Sequence, residues 1–129
     1  MIHNIYAELL KDPLIQAKVS NRIRFYEYPE SLEKVYPYIV IDPIATPRPV
    51  GFGDNKRIVY EYFYQIDVFT QSFNDVNEIT VAMSNVLWEM GFEENGSGVD
   101  QYDSDLDVYR QAKRFIGQFE NLGGMEYVK

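Results

Sequence analysis

The sequence contains no cysteine and a single histidine, His3. Disulfides, thiolate metal ligands and thiol nucleophiles are thereby excluded, and any zinc site would have to rest on carboxylates. His3 has no second imidazole to act with, so its expected role is structural or merely exposed. There is also no apolar run near the length of about 20 residues that a membrane-spanning helix needs. The start, Met1-Ile2-His3-Asn4, has neither a charged n-region nor an apolar h-region, so the expected setting is the cytoplasm. Basic residues are in deficit: 12 Lys and Arg stand against 20 Asp and Glu, for a formal charge of −8. Such a surface repels phosphates, and no Lys/Arg cluster interrupts it, so specific nucleic-acid binding is not expected.

Signs of catalysis are equally scarce. No serine lies in a G-x-S-x-G elbow. Gly51-x-Gly53 is too short for a phosphate fingerprint and precedes a strand pattern instead of a helix. The expectation is a protein that is not an enzyme and holds no cofactor. Asn95-Gly96-Ser97 has the form of a glycosylation sequon but is read as a turn.

What is abundant is aromatic surface. Of 129 residues, 46% are hydrophobic and 16% aromatic, with 11 tyrosines. That is enough to fill the core of one ordinary domain, and tyrosine suits half-buried sheet faces because its ring can be buried while its hydroxyl stays wet. Residues 1–129 are therefore expected to form a single domain with a loose tail from about 121 to 129.

Periodicity then assigns the elements. Ile2, Ile5, Tyr6, Leu9 and Leu10 fall at helical spacing, and Asp12-Pro13 ends that piece and opens a second short one. Residues 22–28 alternate as a strand ended by Pro29, and Tyr38-Ile39-Val40-Ile41 is a β-branched strand. Residues 42–56, with Pro43, Pro47, Pro49, Gly51 and Gly53, hold too many breakers for regular structure and read as a long loop or the flared tip of a hairpin. The strongest strand signal runs over 57–70, where Ile58, Tyr60, Tyr62, Tyr64, Ile66 and Val68 share one face. The opposite face, Val59 to Phe69, is mixed and expected to be wetter. An amphipathic helix follows, with stripe Val76, Ile79, Met83, Val86, Leu87 and Met90, a cap at Ser72 or Asn74, and Gly91 as its left-handed stop. Two further strands, interrupted at 95–98, complete the chain. The fold class is α+β: one mostly antiparallel sheet, with a main amphipathic helix and a short N-terminal helical segment packed on one face.

Two groups of side chains invite a functional reading. Asp100, Asp103, Asp105 and Asp107 alternate in the manner of a hard-cation loop. An EF-hand begun at Asp103 would need Gly and Glu where Val108 and Arg114 stand, so a solvated acidic turn is the plainer reading. A small ion- or ligand-binding module built on residues 100–107 is the alternative function. Arg110 and Arg114 share a strand face opposite this acidic stretch. With Asp103 and Asp105 they are candidate subunit-contact charges, although internal pairing or solvation is the preferred reading.

Tyr36-Pro37-Tyr38-Ile39-Val40-Ile41, then Tyr64-Gln65-Ile66-Asp67-Val68-Phe69-Thr70, the amphipathic helix, Gln101-Tyr102-Asp103 and Tyr109-Arg110-Gln111-Ala112-Lys113-Arg114-Phe115 together make a pattern. It resembles the tail-completion proteins of long-tailed bacteriophages and prophages, also called tail terminators or tail-to-head joining proteins. The likeness covers about Tyr36 to Phe119 and consists of strand and helix patterns without a chemical signature. It implies a homo-oligomeric, hexameric ring that caps the tail tube and joins it to the head. The implied partners are the major tail tube protein and the head–tail connector protein. The implied location is the host bacterial cytoplasm during assembly, then the tail–head interface of the virion. No catalytic residues come with it. Exposed strand edges and a long loop suit ring contacts, and an acidic lumen suits a conduit for DNA better than a binder of it. The partner-contact candidates are Arg48, Phe52, Asn55 and Lys56 of the 42–56 loop.

Overall fold

The computed structural model describes residues 1–26, 35–52 and 58–121, with 51, 52 and 121 described in their backbone only. The chain opens with α1 (Ile2–Lys11) and α2 (Pro13–Lys18). They are separated where Asp12 stays extended, its carboxylate accepting the Ile15 N–H at 3.1 Å and Pro13 starting the new turn. Arg22 then ties the end of α2 to the sheet: its guanidinium donates to the carbonyls of Lys18 and Pro37, both at 2.8 Å.

The strands are β1 (Ile23–Phe25), β2 (Tyr38–Pro43), β3 (Arg48–Phe52), β4 (Ile58–Thr70), β5 (Glu93–Glu94), β6 (Val99–Asp103) and β7 (Val108–Asn121), with α3 (Phe73–Met90) between β4 and β5. They form one mixed, seven-stranded sheet in the order β1-β2-β4-β7-β5, with β3 also on β4 and β6 also on β7. The β1–β2 pair is parallel and every other pair antiparallel. At its centre β4 pairs with β7 along its whole length, from Ile58↔Asn121 to Thr70↔Tyr109. The α+β reading therefore holds.

All three helices cover one face. Their buried residues, among them Ile5, Leu9, Ile15, Ile79, Met83 and Leu87, meet Ile39 and Ile41 of β2, Tyr62, Tyr64, Ile66 and Val68 of β4, and Phe115 of β7. This is the β4 face that the two-residue period selects. Burying each such aliphatic side chain contributes about 1.5–3 kcal/mol against the entropy of ordering it. Ser72 caps α3, its hydroxyl accepting the Asp75 N–H at 3.2 Å, and Gly91 stops the helix at φ 105°. Lys18 reaches from α2 to Asp75 in the first turn of α3 at 2.9 Å, and that hydrogen bond, then the carboxylate's charge, raise its pKa.

Two expectations about boundaries need correction. The stretch 42–56 is not all irregular, because Arg48–Phe52 pairs with β4 across a register shift between Pro49 and Gly51. A proline is tolerated there because β4 is the one described neighbour of β3, so the lost N–H breaks no second ladder, and the bulge absorbs the extra residue. The first strand is shorter than 22–28: Tyr26 takes φ 64°, which ends β1 before Pro29 is reached. Residues 27–34 and 53–57 lie outside the described residues.

Candidate interaction surfaces at the two ends of the long strand

β4 is 13 residues long, which at strand rise is about 40 Å. Among the described candidate residues, Arg48 lies towards its Ile58 end and Arg110 and Asp103 towards its Thr70 end, while Arg114 stands opposite Gln65 near the middle of the strand.

At the Ile58 end, Arg48 of β3 stands opposite Glu61 of β4. Its Nε and Nη2 donate to Glu61 Oε1 at 3.0 and 2.8 Å, while Gln118 donates to Oε2 at 3.2 Å. These hydrogen bonds, the one from Arg48 foremost, hold the Glu61 carboxyl below the usual carboxylate range. Arg48 is thus exposed but anchored, with the apolar Ile44 and Val50 exposed in the same stretch. Phe52 pairs with Ile58 through its backbone, and Asn55 and Lys56 lie outside the described residues.

At the Thr70 end, two adjacent register rows run across β2, β4, β7 and β6. One row is Tyr38–Phe69–Arg110–Gln101, on the face turned away from the helices. The next is Thr70–Tyr109–Tyr102, on the helix side. In the first row Tyr38 stacks on Phe69 at 4.6 Å between ring centres and 13° between planes, and Tyr36 extends the stack at 5.3 Å. The Arg110 guanidinium lies 5.9 Å from the centre of the Phe69 ring. It donates to Asp67 from Nε at 2.8 Å, with Nη2 at 2.7 Å, and to Gln101 from Nη1 at 3.2 Å. In the second row Tyr102 meets Tyr109 at 4.5 Å, and Phe73 continues the contact at 5.8 Å.

The β6–β7 turn closes over the first row. Asp103 Oδ1 accepts the N–H groups of Asp105 and Leu106 at 2.9 and 3.3 Å, and Tyr102 donates its hydroxyl to Asp107 at 2.9 Å. That bond to Asp107 is the main reason the Tyr102 pKa is raised. Between the turn and the aromatic stack lies an open cleft of about 560 Å³, with Tyr36, Tyr38 and Phe69 on one side and Asp103, Leu106 and Val108 among its other walls.

The four charges singled out in the sequence do not pair with one another. Arg110 is committed to Asp67, and Arg114 donates to Gln65 at 3.0 Å. Asp103 caps its own turn, and Asp105 is exposed. Among the described residues no three His, Cys, Asp or Glu side chains converge as metal ligands. The aromatic wall of Tyr36, Tyr38 and Phe69 was not among the sequence candidates. Parity places each ring on a face, but the register that brings Tyr38 opposite Phe69 and Arg110 is set by long-range pairing.

The arrangement combines aromatic rings, anchored guanidinium groups and a carboxylate turn. No protein-family model and no curated protein matches the chain. Among solved structures, it is similar to a chain described as "Virion of native gene transfer agent (GTA) particle", with a TM-score of 0.62 and 16% identity, over 90% of this chain and 91% of that one.

Proposed function

We propose that this chain is a non-enzymatic structural component of a virion, of the tail-completion type: a ring at the end of the tail tube that stops tube growth and receives the head connector. The observation that carries this reading is the shared fold, which spans about nine-tenths of both this chain and a chain from a gene transfer agent virion. The sequence resemblance over Tyr36–Phe119 supports the finer role. The geometry is compatible with it, since a protein that joins two partners needs two separated surfaces, and Arg48 and the Arg110 cleft lie towards opposite ends of β4. Head-to-tail contacts between identical copies close into a ring when their rotation closes.

The test is to mix the purified full chain with isolated tail tubes and view them by electron microscopy. The expected result is a ring at one end of each tube and tubes that no longer elongate when tube protein is added. Bare ends and continued elongation at every protein ratio would overturn the role.

A further inference from the structure

We infer that Asn95, in the excursion between β5 and β6, is a site of spontaneous covalent modification by its own backbone. The Gly96 nitrogen attacks the Asn95 carboxamide, ammonia leaves, and the succinimide so formed opens to isoaspartate or aspartate. The reaction needs no partner and is independent of the proposed function.

The sheet sets the position. β5 and β6 both pair with β7 and run along it as one edge strand broken in the middle. Glu94 pairs with Phe115 and Val99 with Ala112, so five steps along the edge answer three along β7. Residues 95–98 therefore stand out from the ladder as a bulge. Both ends of the bulge are held. The Asn95 N–H donates to the Arg114 carbonyl at 2.8 Å, and Gly98 lies so close to β7 that a Cβ would be 2.5 Å from the Ala112 oxygen.

Between those anchors the reacting groups are free. Residues 95–98 are all exposed, and among the described residues none hydrogen-bonds the Asn95 carboxamide or the Gly96 N–H. Gly96 takes φ 81°, and a Cβ there would meet nothing within 4 Å, so the space beside its nitrogen is open. Attack forms the Gly96 N–Asn95 Cγ bond and breaks Cγ–Nδ2, and the proton from the Gly96 nitrogen departs with the ammonia. One water then adds at either ring carbonyl. Addition at the backbone carbonyl gives isoaspartate, and addition at the side-chain carbonyl gives aspartate.

The other described asparagines lack this combination. Asn95-Gly96 is the one Asn-Gly pair in the sequence. Asn4, Asn74, Asn77 and Asn85 lie within α1 and α3, where the backbone is held in the helix. Asn21 precedes Arg22, whose N–H donates to the Val19 carbonyl at 3.1 Å. Either product at 95 adds a negative charge, next to Glu93 and Glu94, to a chain whose formal charge is already −8.

The experiment is to incubate the full chain at mildly alkaline pH beside a synthetic peptide of residues 93–99, digest both in acid and follow each asparagine by mass spectrometry. The amide-to-acid mass gain is expected at Asn95, with isoaspartate and aspartate resolved by chromatography, while Asn4, Asn21, Asn74, Asn77 and Asn85 keep their amides. Raising the pH by one unit should speed the conversion about tenfold, because the deprotonated nitrogen is the nucleophile. Gly96→Ala should slow it by about tenfold or more, since a Cβ crowds that nitrogen. Asn95→Gln should keep the melting temperature and abolish the change at 95, because the larger ring closes far more slowly. An intact Asn95 amide once the peptide has fully converted, equal conversion at every asparagine, or an unchanged rate in Gly96→Ala would overturn the inference.

Discussion

Gly117 of β7 faces the helix side beneath two phenyl rings. A Cβ there would lie 2.7 Å from the Phe119 ring and 2.8 Å from that of Phe92, distances that real Cβ atoms do not reach. Phe92 is fully buried and in contact with Tyr64 and Phe119, so it has little room to yield. Gly117→Ala should therefore destabilise the fold by about 1–3 kcal/mol, the usual cost of overpacking, as a lowered urea midpoint with an unchanged slope. Tyr64, in the same aromatic group, has its hydroxyl pKa pushed up to about 12, chiefly by burial. Because the folded value lies above the ordinary value of 10.0, the phenol is neutral in both states below pH 10 and costs nothing there. Between about pH 10 and 12 the unfolded state ionises first, and stability falls with rising pH by up to roughly 2–3 kcal/mol. Tyr64→Phe should remove that part of the alkaline loss, which melting temperatures measured at successive pH values from 9 to 12 would reveal. A wild-type-like decline in the variant would refute the assignment.

The elements were legible where their signals are local. Asp12-Pro13, Ser72 and Gly91 mark helix ends because capping is decided within a few residues, and each sits at the boundary expected for it. Ser72→Ala should cost about 1 kcal/mol by orphaning the Asp75 N–H at the start of α3, while Ser72→Asp should retain most of the stability. Chemical denaturation of the two variants checks both signs. The β4 parity was legible too: its alternating apolar residues become the core face. The failure at β3 has a physical cause. Proline and glycine count against a strand in general but not at an edge, and whether Arg48–Phe52 lies at an edge depends on its partner in the sheet. The opposite face of β4 shows the same limit. It reads as wet, yet Asp67 is buried because Arg110, 43 residues further along, reaches it across the sheet.

At the scale of the molecule, the helices shield one face of the sheet, and Arg48 and the Arg110 cleft lie towards opposite ends of the long strand. In the acidic turn Asp103 turns one oxygen inward to its own backbone, and among the described residues the carboxylates do not converge as metal ligands. Calcium at roughly millimolar concentration should leave the melting temperature unchanged, since a native-state ligand would raise it by mass action. A clear upward shift would reinstate the ion-binding alternative.

Composition and period by themselves determined the α+β class, the absence of thiol chemistry, the long aromatic strand and the helix that covers it, since these depend on side-chain type and on spacing along the chain. Tertiary structure decided which residues became a surface. The Tyr38–Phe69–Arg110 row, the burial of Asp67 and the cleft beneath the acidic turn all require strands distant in sequence to pair in one register. A slip of one residue would send each of those side chains to the other face, and only the packing of the whole core selects against it.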